Sequence, residues 1–420
     1  MKARAMRTPN LRILLTALLA LAVTAVHAQT NNRLDAVQLI QQGDAQLRFG
    51  NSELALQHYT NAIQKDIAFA DAYMKRAMLL SRLGQNTQAL ADMDRALELN
   101  PYSEYIFDRR AKVKFLLNDI KGAEDDLARA VALKPYDDLL RESRVDALLV
   151  MGKIEEAVRE LDSLLLMHPE DVLLILKKGT ARLLMDDGPG ALVIFDKAVE
   201  VAPRLAIVHD LRGVALMRLQ RWNDALVALD RAIALDRNFD LALYNRGLVH
   251  AQLGNMAQAR ADMDAALELS HDQPHIFFQR ALVRKRDGDL AGARDDFDRA
   301  LELAPDYLEA QYNRAFVRKH LGDHAGALED AENALRMAPE DPDAWIMKGN
   351  LHLLYGEFND AIACFDRAIS LHHDHANALY NRGLAYHMNY QPLQGCEDLR
   401  RSADLGSAQA LDALKYFCAF

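Results

Sequence analysis

The feature that most constrains this chain is a period of 34 residues. Prolines recur on that step at six positions, and a proline disfavours helical geometry in the residue before it. Each one therefore marks the end of a helix. A fixed period of this length indicates one repeated structural unit rather than several unrelated domains. The prolines are Pro101, Pro135, Pro169, Pro203, Pro305 and Pro339.

Two columns of small residues keep the same period, and such small side chains predict that two helices approach closely there. One column is alanine until its last member: Ala55, Ala89, Ala123, Ala157, Ala191, Ala225, Ala259, Ala293, Ala327, Ala361 and Gly395. The other alternates between glycine and alanine and is interrupted only by Val145: Gly43, Ala77, Ala111, Gly179, Gly213, Gly247, Ala281, Ala315, Gly349 and Gly383.

Within one unit the apolar spacing is helical. Tyr73, Ala77 and Leu80 stand at i, i+4 and i+7, which is the spacing of one helix face. Gly84 follows this first helix and is expected to end it. Each unit is therefore predicted to be a helix, a turn, a second helix and a stop.

This pattern resembles the tetratricopeptide-repeat family, which has small residues at positions 8, 20 and 27 of a 34-residue unit and proline at position 32. The resemblance implies an all-α fold, a right-handed superhelical solenoid of helical hairpins, with residues 29–35 as a short N-terminal segment and residues 410–420 as a capping helix. Departures from the pattern at Arg237, His271, His373, Ser407 and Leu164 are expected to alter only the local stacking. Eleven units are predicted: 36–69, 70–103, 104–137, 138–171, 172–205, 206–239, 240–273, 274–307, 308–341, 342–375 and 376–409.

Residues 1–28 have the pattern of a cleavable signal peptide. Four basic residues precede or begin an apolar run from Ile13 to Val26, and small residues lead to a predicted cleavage after Ala28. The run is shorter than the roughly 20 residues needed to cross a bilayer. We therefore expect a protein exported to the periplasm or the extracellular space, with no membrane span after cleavage.

Charge and motifs exclude several classes of function. The net charge is −10, and loss of the basic signal peptide makes the remaining chain more acidic still, which opposes binding to nucleic acid. The sequence has no nucleophile elbow, zinc-protease or phosphate-binding motif. The run at residues 372–375, HHDH, predicts at most adventitious metal binding. We expect no enzyme activity, no cofactor and no metal site.

In the family that the chain resembles, the first helix of every unit lines the concave surface, and positions 2, 5, 6, 9, 12 and 13 hold the ligand. From residue 240 onward, positions 5 and 6 change from mixed and charged residues to aromatic residues and amides, except in one unit that has Ile346 and Met347. Amides can hydrogen-bond to a peptide backbone, and aromatic rings add apolar contact. Packing between units without any ligand is the alternative. The candidates are Tyr244, Asn245, Phe278, Gln279, Tyr312, Asn313, Tyr380 and Asn381.

A basic band follows at positions 11 to 13 of two units. It contains Arg284, Lys285 and Arg286, and then Arg318, Lys319 and His320. The band could receive an acidic peptide segment or a C-terminal carboxylate. Ion pairs with acidic neighbours in the sequence are the alternative interpretation.

Position 7 is basic in ten units, and acidic residues recur on the second helices. This alternation predicts a ladder of ion pairs within the chain rather than a ligand track. The basic residues are Arg76, Arg110, Arg144, Lys178, Arg212, Arg246, Arg280, Arg314, Lys348 and Arg382.

Cys396 and Cys418 fall on the last second helix and on the predicted cap, which should be packed neighbours. Export would permit a disulfide between them, and two free buried thiols are the alternative. Together these features predict a non-catalytic scaffold or adaptor that binds a protein or an extended peptide through its C-terminal repeats. The alternative is a structural subunit of an envelope or secretion assembly, acting by self-association or through its convex face.

Overall fold

The structure is a computed structural model that describes residues 11–418, with side chains from Thr30 onward. In this part of the chain there are 23 α-helices and no β-strand, so the predicted all-α class is confirmed. The predicted signal peptide lies outside the residues whose side chains are described. Within the described residues, no helix is both long enough and apolar enough to cross a membrane.

Helices of 13 and 14 residues alternate at the predicted period. After α1 (Leu11–Arg48), the first helices of successive hairpins are α3 (Ala70–Arg82), α5 (Glu104–Leu116), α7 (Asp138–Val150), α9 (Val172–Leu184), α11 (Ala206–Arg218), α13 (Asp240–Gln252), α15 (Pro274–Arg286), α17 (Leu308–His320), α19 (Pro342–Leu354) and α21 (Ala376–Met388). The second helices are α2 (Ser52–Lys65), α4 (Asn86–Leu99), α6 (Ile120–Leu133), α8 (Ile154–Met167), α10 (Gly188–Val201), α12 (Trp222–Leu235), α14 (Met256–Leu269), α16 (Leu290–Leu303), α18 (His324–Met337), α20 (Phe358–Leu371) and α22 (Pro392–Asp404). The chain ends with α23 (Ala408–Phe417).

The helices form two compact units, residues 1–194 and 195–420, which divide within α10. From α1 to α9 and from α11 to α23, each helix packs against the next one in the chain, so hairpins stack on hairpins. Neighbouring first helices also contact each other, for example α3 with α5 and α17 with α19. We call the surface made by these first helices within a unit its first-helix face.

In most hairpins the turn between the two helices contains a glycine, as predicted for Gly84. The helix α3 ends at Arg82, and Gly84 has φ +77°. Only glycine adopts this left-handed region without steric cost. Asn118 takes the corresponding place after α5 with φ 60°, as asparagine tolerates that region better than other side chains.

The small-residue columns lie where the two helices of a hairpin touch. Every alanine in the first column is fully buried. Around Gly383 and Gly395 the approach is closest, because a Cβ atom on Gly395 would lie 2.7 Å from the carbonyl oxygen of Gly383. That neighbour is backbone and cannot move aside cheaply. The prediction of close helix contact is confirmed here.

The predicted ion-pair ladder is also confirmed. In six hairpins the position-7 arginine makes a two-pronged hydrogen bond to a buried aspartate sixteen residues later. The aspartates are Asp92, Asp126, Asp262, Asp296, Asp330 and Asp398. Five of these arginines use their remaining nitrogen for an acid sixteen residues earlier, at Asp94, Asp230, Asp264, Asp298 or Asp366. Each of these five arginines thus joins the second helices of two successive hairpins.

The C-terminal helix α23 packs on α22 and begins at Ala408, two residues before the predicted start of the cap. Ser407 caps it by accepting a hydrogen bond from the amide of Ala410 at 3.2 Å. The Sγ atoms of Cys396 and Cys418 lie 1.98 Å apart, which is bonding distance, and their Cα atoms are 5.8 Å apart. The remaining cysteine, Cys364, is buried.

We expect Gly395→Ala to destabilise the last hairpin by about 1–3 kcal/mol, because the added methyl group must push two backbones apart. Urea unfolding monitored by circular dichroism measures the effect. The exposed neighbour Gln394→Ala serves as a control that should change little. An unchanged midpoint for Gly395→Ala would contradict the close contact.

Thiol titration should give a three-step pattern. Burial raises the pKa of the Cys364 thiol to about 11, so the native protein should react slowly with a thiol reagent. The denatured, unreduced protein should show one reactive thiol, and the reduced protein all three. Three reactive thiols before reduction would show that Cys396 and Cys418 are not joined.

Candidate functional site

A groove of about 280 Å³ lies between α17 and α19 on the first-helix face of the second unit. Ala315, Ile346 and Leu351 are buried and give it an apolar floor. Phe316 stands at its edge with 45% of its side chain exposed. The complete lining is Tyr312, Ala315, Phe316, Lys319, Asp343, Ile346, Met347, Asn350 and Leu351.

Cations surround the exposed ring of Phe316. The Nζ atoms of Lys285 and Lys319 lie 5.2 and 5.5 Å from its centroid, within the range of a cation–π interaction. The ring of His320 stacks 4.1 Å away. The cluster combines an accessible aromatic surface with two positive charges, so it can accept an apolar group that carries a carboxylate nearby.

Hydrogen bonds within the chain fix Lys285 and its neighbour Asn313. Lys285 donates to the side-chain oxygen of Asn313 at 2.6 Å, and burial lowers the pKa of its ammonium group. Asn313 in turn donates to the carbonyl of Glu309 at 2.8 Å. Its amide therefore orients Lys285 and has less capacity to hydrogen-bond to a peptide than the sequence suggests.

Tyr312 on α17 lines the groove and reaches the residue that precedes α19. Its hydroxyl donates to the carboxylate of Asp341. Burial, and then this bond, raises the pKa of the Tyr312 phenol above its usual range. The ring is held in place and presents one side to the groove.

Phe278 corrects the sequence analysis, because it is part of the core rather than of an accessible surface. Only 7% of its side chain is exposed. Its ring centroid lies 5.8 Å from that of Phe297 and 4.8 Å from that of Tyr307, which precedes the next first helix. The position-5 side chain is therefore covered by the following hairpin.

Tyr244 and Asn245 are also engaged with neighbours. The Tyr244 ring is half-buried with its edge against His275 at 5.1 Å, and burial raises its pKa to about 12. Asn245 donates to the carboxylate of Asp210 at 2.9 Å. Burial of Asp210, opposed by this hydrogen bond, raises its pKa to about 6.

The other predicted contact residues do not line the groove. Arg286 donates to the carbonyl of Ala251 at 3.1 Å, and Gln279 is half-buried on α15. Tyr380 packs near the end of the chain, and Asn381 beside it is half-buried. Of the residues predicted to bind a ligand, Tyr312 and Lys319 line the groove directly. Lys285 and His320 adjoin it through their contacts with Phe316, and Asn313 through its hydrogen bond with Lys285.

The basic band divides in two. Arg284 and Arg318 form ion pairs within the chain. The acidic neighbours expected from the sequence, Asp289 and Asp323, lie 3.9 and 3.7 Å away, and the closer partners are Asp296 at 3.2 Å and Asp330 at 3.0 Å. Lys285, Lys319 and His320 instead gather around Phe316.

Sequence analysis missed Phe316, Met347 and Asn350. Phe316 is at position 9 of its unit, one of the ligand positions that the family resemblance implies, and none of the other units has an aromatic residue there. That departure was a usable signal. Met347 and Asn350 are at positions 6 and 9 of the next unit, which are also ligand positions in the family, but neither is an amide at position 6 or an aromatic residue, so the pattern of residue types passed over them.

A second groove, of about 260 Å³, lies on the first-helix face of the first unit. It is mainly apolar and includes Tyr105, which is 43% exposed at position 2. Its lining is Val37, Ile40, Gln41, Phe69, Asp71, Met74, Lys75, Met78 and Tyr105. The sequence does not predict this groove, because aromatic residues and amides at positions 5 and 6 begin only at residue 240.

In the histidine run at residues 372–375, the side chain of His375 has contacts within the chain. His375 caps α21 by accepting a hydrogen bond from the amide of Ala378 at 3.3 Å through Nδ1. Its Nε2 lies 3.4 Å from the carboxylate of Asp343. Elsewhere in the described chain, one group of three side chains has the spacing of metal ligands: His352, Glu357 and Asp360.

Asp210→Asn should stabilise the protein above pH 6 and have no effect near pH 4. A carboxyl whose folded pKa is raised stabilises the fold only while it is protonated, and that contribution is lost as the pH rises through about 6. Removing the charge should therefore add about 3 kcal/mol at pH 7.5.

Urea midpoints at pH 4 and pH 7.5 measure this difference. The exposed Asp306→Asn gives the matched control. Equal midpoints for Asp210→Asn and the parent protein at pH 7.5 would show that Asp210 has an ordinary pKa.

Family models for the tetratricopeptide repeat match much of the chain. The model described as "TPR repeat" matches residues 213–254 and 349–389. Two described as "Tetratricopeptide repeat" match residues 40–104, 278–342 and 317–356, and residues 241–272. Together these matches cover more than half of the sequence.

Several solved structures are similar in fold. YrrB, described as a TPR protein with an unusual peptide-binding site, is 24% identical, with 44% of this chain and 95% of that one covered and a TM-score of 0.40. Yeast Tom70 is 17% identical, with 91% and 95% covered and a TM-score of 0.41. In the APC/C hetero-tetramer Cut9-Hcn1 the matched chain is 12% identical, with 93% and 98% covered and a TM-score of 0.46.

Proposed function

Because the chain belongs to the tetratricopeptide-repeat family, we propose that it is a non-catalytic scaffold that holds an extended segment of another protein on the first-helix face of α15, α17 and α19. The observation that carries this proposal is Phe316. It is a large aromatic side chain left half exposed between two lysines, beside an apolar groove.

The groove favours a ligand with two kinds of group. An apolar side chain fits over the floor made by Ile346 and Leu351. A carboxylate, from an acidic side chain or from a C-terminus, would lie near Lys285 and Lys319. Asn350 adds an amide that can donate to or accept from the backbone of the ligand.

The proposal places the protein and its partner outside the cytoplasm. The basic and apolar pattern of residues 1–28 supports a signal peptide, and with it a partner in the periplasm or outside the cell. The net charge of −10 supports a protein partner over nucleic acid.

A structural role by self-association is the second candidate, and exposed apolar residues in the first unit favour it. Leu139 and Leu173, at position 2 of α7 and α9, are 76% and 57% exposed, and Leu166 is 83% exposed. If these side chains form one continuous apolar patch, that patch would suit contact with another chain.

Affinity capture from an envelope extract tests the groove. The bait is compared with a Phe316→Ala, Lys319→Ala double variant and with a matched Tyr390→Ala, Lys415→Ala control at exposed positions outside the groove. We expect the groove variant to lose its partner, with at least a tenfold lower affinity for the purified partner, because it removes an aromatic contact and a charge at the centre of the site.

The control should retain the partner, and circular dichroism should show equal helicity for all three proteins. If the groove variant captures the same proteins as the parent, the groove is not the binding site. If the bait captures only itself, the structural role replaces the scaffold role.

A further inference from the structure

A second kind of site lies at the turn between α19 and α20. His352 is in the last turn of α19, Glu357 directly precedes α20, and Asp360 is in its first turn. One potential ligand atom of each residue lies within 4.8 Å of the others. The closest pair is His352 Nδ1 and a carboxylate oxygen of Glu357, at 2.6 Å.

Four other hairpins place a fixed cation at this turn. Counted along the 34-residue unit, His352 is at position 11, where Lys114, Arg182, Arg284 and Arg318 stand in other units. Three of these cations donate to the carbonyl of the glycine at position 19, at 3.0 to 3.1 Å. Arg182 donates to the aspartate at position 16, at 3.2 Å. The turn is thus a place where this fold accommodates positive charge.

In those four units, the aspartate at position 16 excludes a side chain at position 19. Asp323 shows why, because its carboxylate accepts a hydrogen bond from the amide of Gly326 at 3.0 Å and caps the helix. A Cβ atom on Gly326 would lie 2.3 Å from that carboxylate. Aspartate at position 16 and glycine at position 19 therefore occur together.

The unit of residues 342–375 changes all three positions at once. Histidine replaces the fixed cation, Glu357 replaces the capping aspartate, and Asp360 replaces the glycine. Glu357 does not cap α20. Its carboxylate turns to His352 instead, and this leaves room for the side chain of Asp360.

The result is two carboxylates and an imidazole where related turns hold a lysine or an arginine. Lys348, one turn earlier on α19, is paired with Glu332 at 3.0 Å. The His352 side chain is 12% exposed and Glu357 is 50% exposed. One side of the group is therefore open for water to complete a coordination shell.

We propose that His352, Glu357 and Asp360 bind a divalent transition-metal ion of the Zn²⁺ type, which takes the place of the guanidinium or ammonium group of the other units. Imidazole and carboxylate groups are both ligands of such ions, and three protein ligands leave a fourth position for water. Ligand atoms about 2 Å from a metal lie within about 4 Å of each other, so closing the group requires only small side-chain movements.

Isothermal titration calorimetry of the purified, untagged protein with Zn²⁺ tests the proposal. All proteins carry His372→Asn and His373→Asn to remove the loop histidines as a background. The loss variant adds His352→Arg, Glu357→Asp and Asp360→Gly, which reproduces the pattern of residues 318, 323 and 326 and should therefore fold. We expect it to lose one equivalent of Zn²⁺, and Asp360→Asn alone to weaken binding at least about tenfold.

The converse exchange should create a second metal site in the preceding unit. Arg318→His, Asp323→Glu and Gly326→Asp together should add a second equivalent of Zn²⁺ of similar affinity. Circular dichroism at each stage verifies helicity. Equal stoichiometry and affinity in the parent and the loss variant would overturn the proposal, and would leave His352 and Glu357 as an ion pair only.

Discussion

In every hairpin from α3 onward except the one with Val145, the two helices touch through side chains of one carbon or none, and the other contacts depend on this closeness. With Ala or Gly in both columns, position 7 of the first helix comes within hydrogen-bonding reach of position 23 of the second. An aspartate there is buried, as for Asp330, which has no exposed surface. A buried carboxylate is tolerated only with a partner, and Arg314 provides two hydrogen bonds to it, at 2.6 and 3.0 Å.

The same geometry decides between arginine and lysine. Seven units have an acid at position 23, and all seven have arginine at position 7. Its planar fork binds one carboxylate with two nitrogens and leaves a third for the preceding hairpin. In two units position 23 is Ile194 or Cys364, and position 7 is then Lys178 or Lys348, each with a single acid partner. Arg212 departs from this rule, since it faces Ala228 and is paired with Asp196 alone.

Features that every unit repeats could be predicted from the sequence, since period, small columns and ion-pair ladder are each visible many times over. Features made by one pair of units could not. Phe278 has the same position as Tyr312, yet Tyr307 from the following turn covers it. Asn245 meets Asp210 from the preceding unit, across 35 residues. A helical repeat gives the direction of a side chain, but not what the next unit places over it.

Stability and recognition are therefore carried by different positions of the unit, and α19 shows how they can still be connected. Its buried residues Ala344 and Gly349 serve the packing. Met347 and Asn350 line the groove beside Phe316, and His352 lies one turn further, at the junction with α20. The other turns with a fixed cation have side chains that hold the end of the first helix to the start of the second. In this unit the contact between His352 and Glu357 makes that connection. An ion held by His352, Glu357 and Asp360 would replace this contact, so binding of the ion would affect how firmly the end of α19, one wall of the groove, is held.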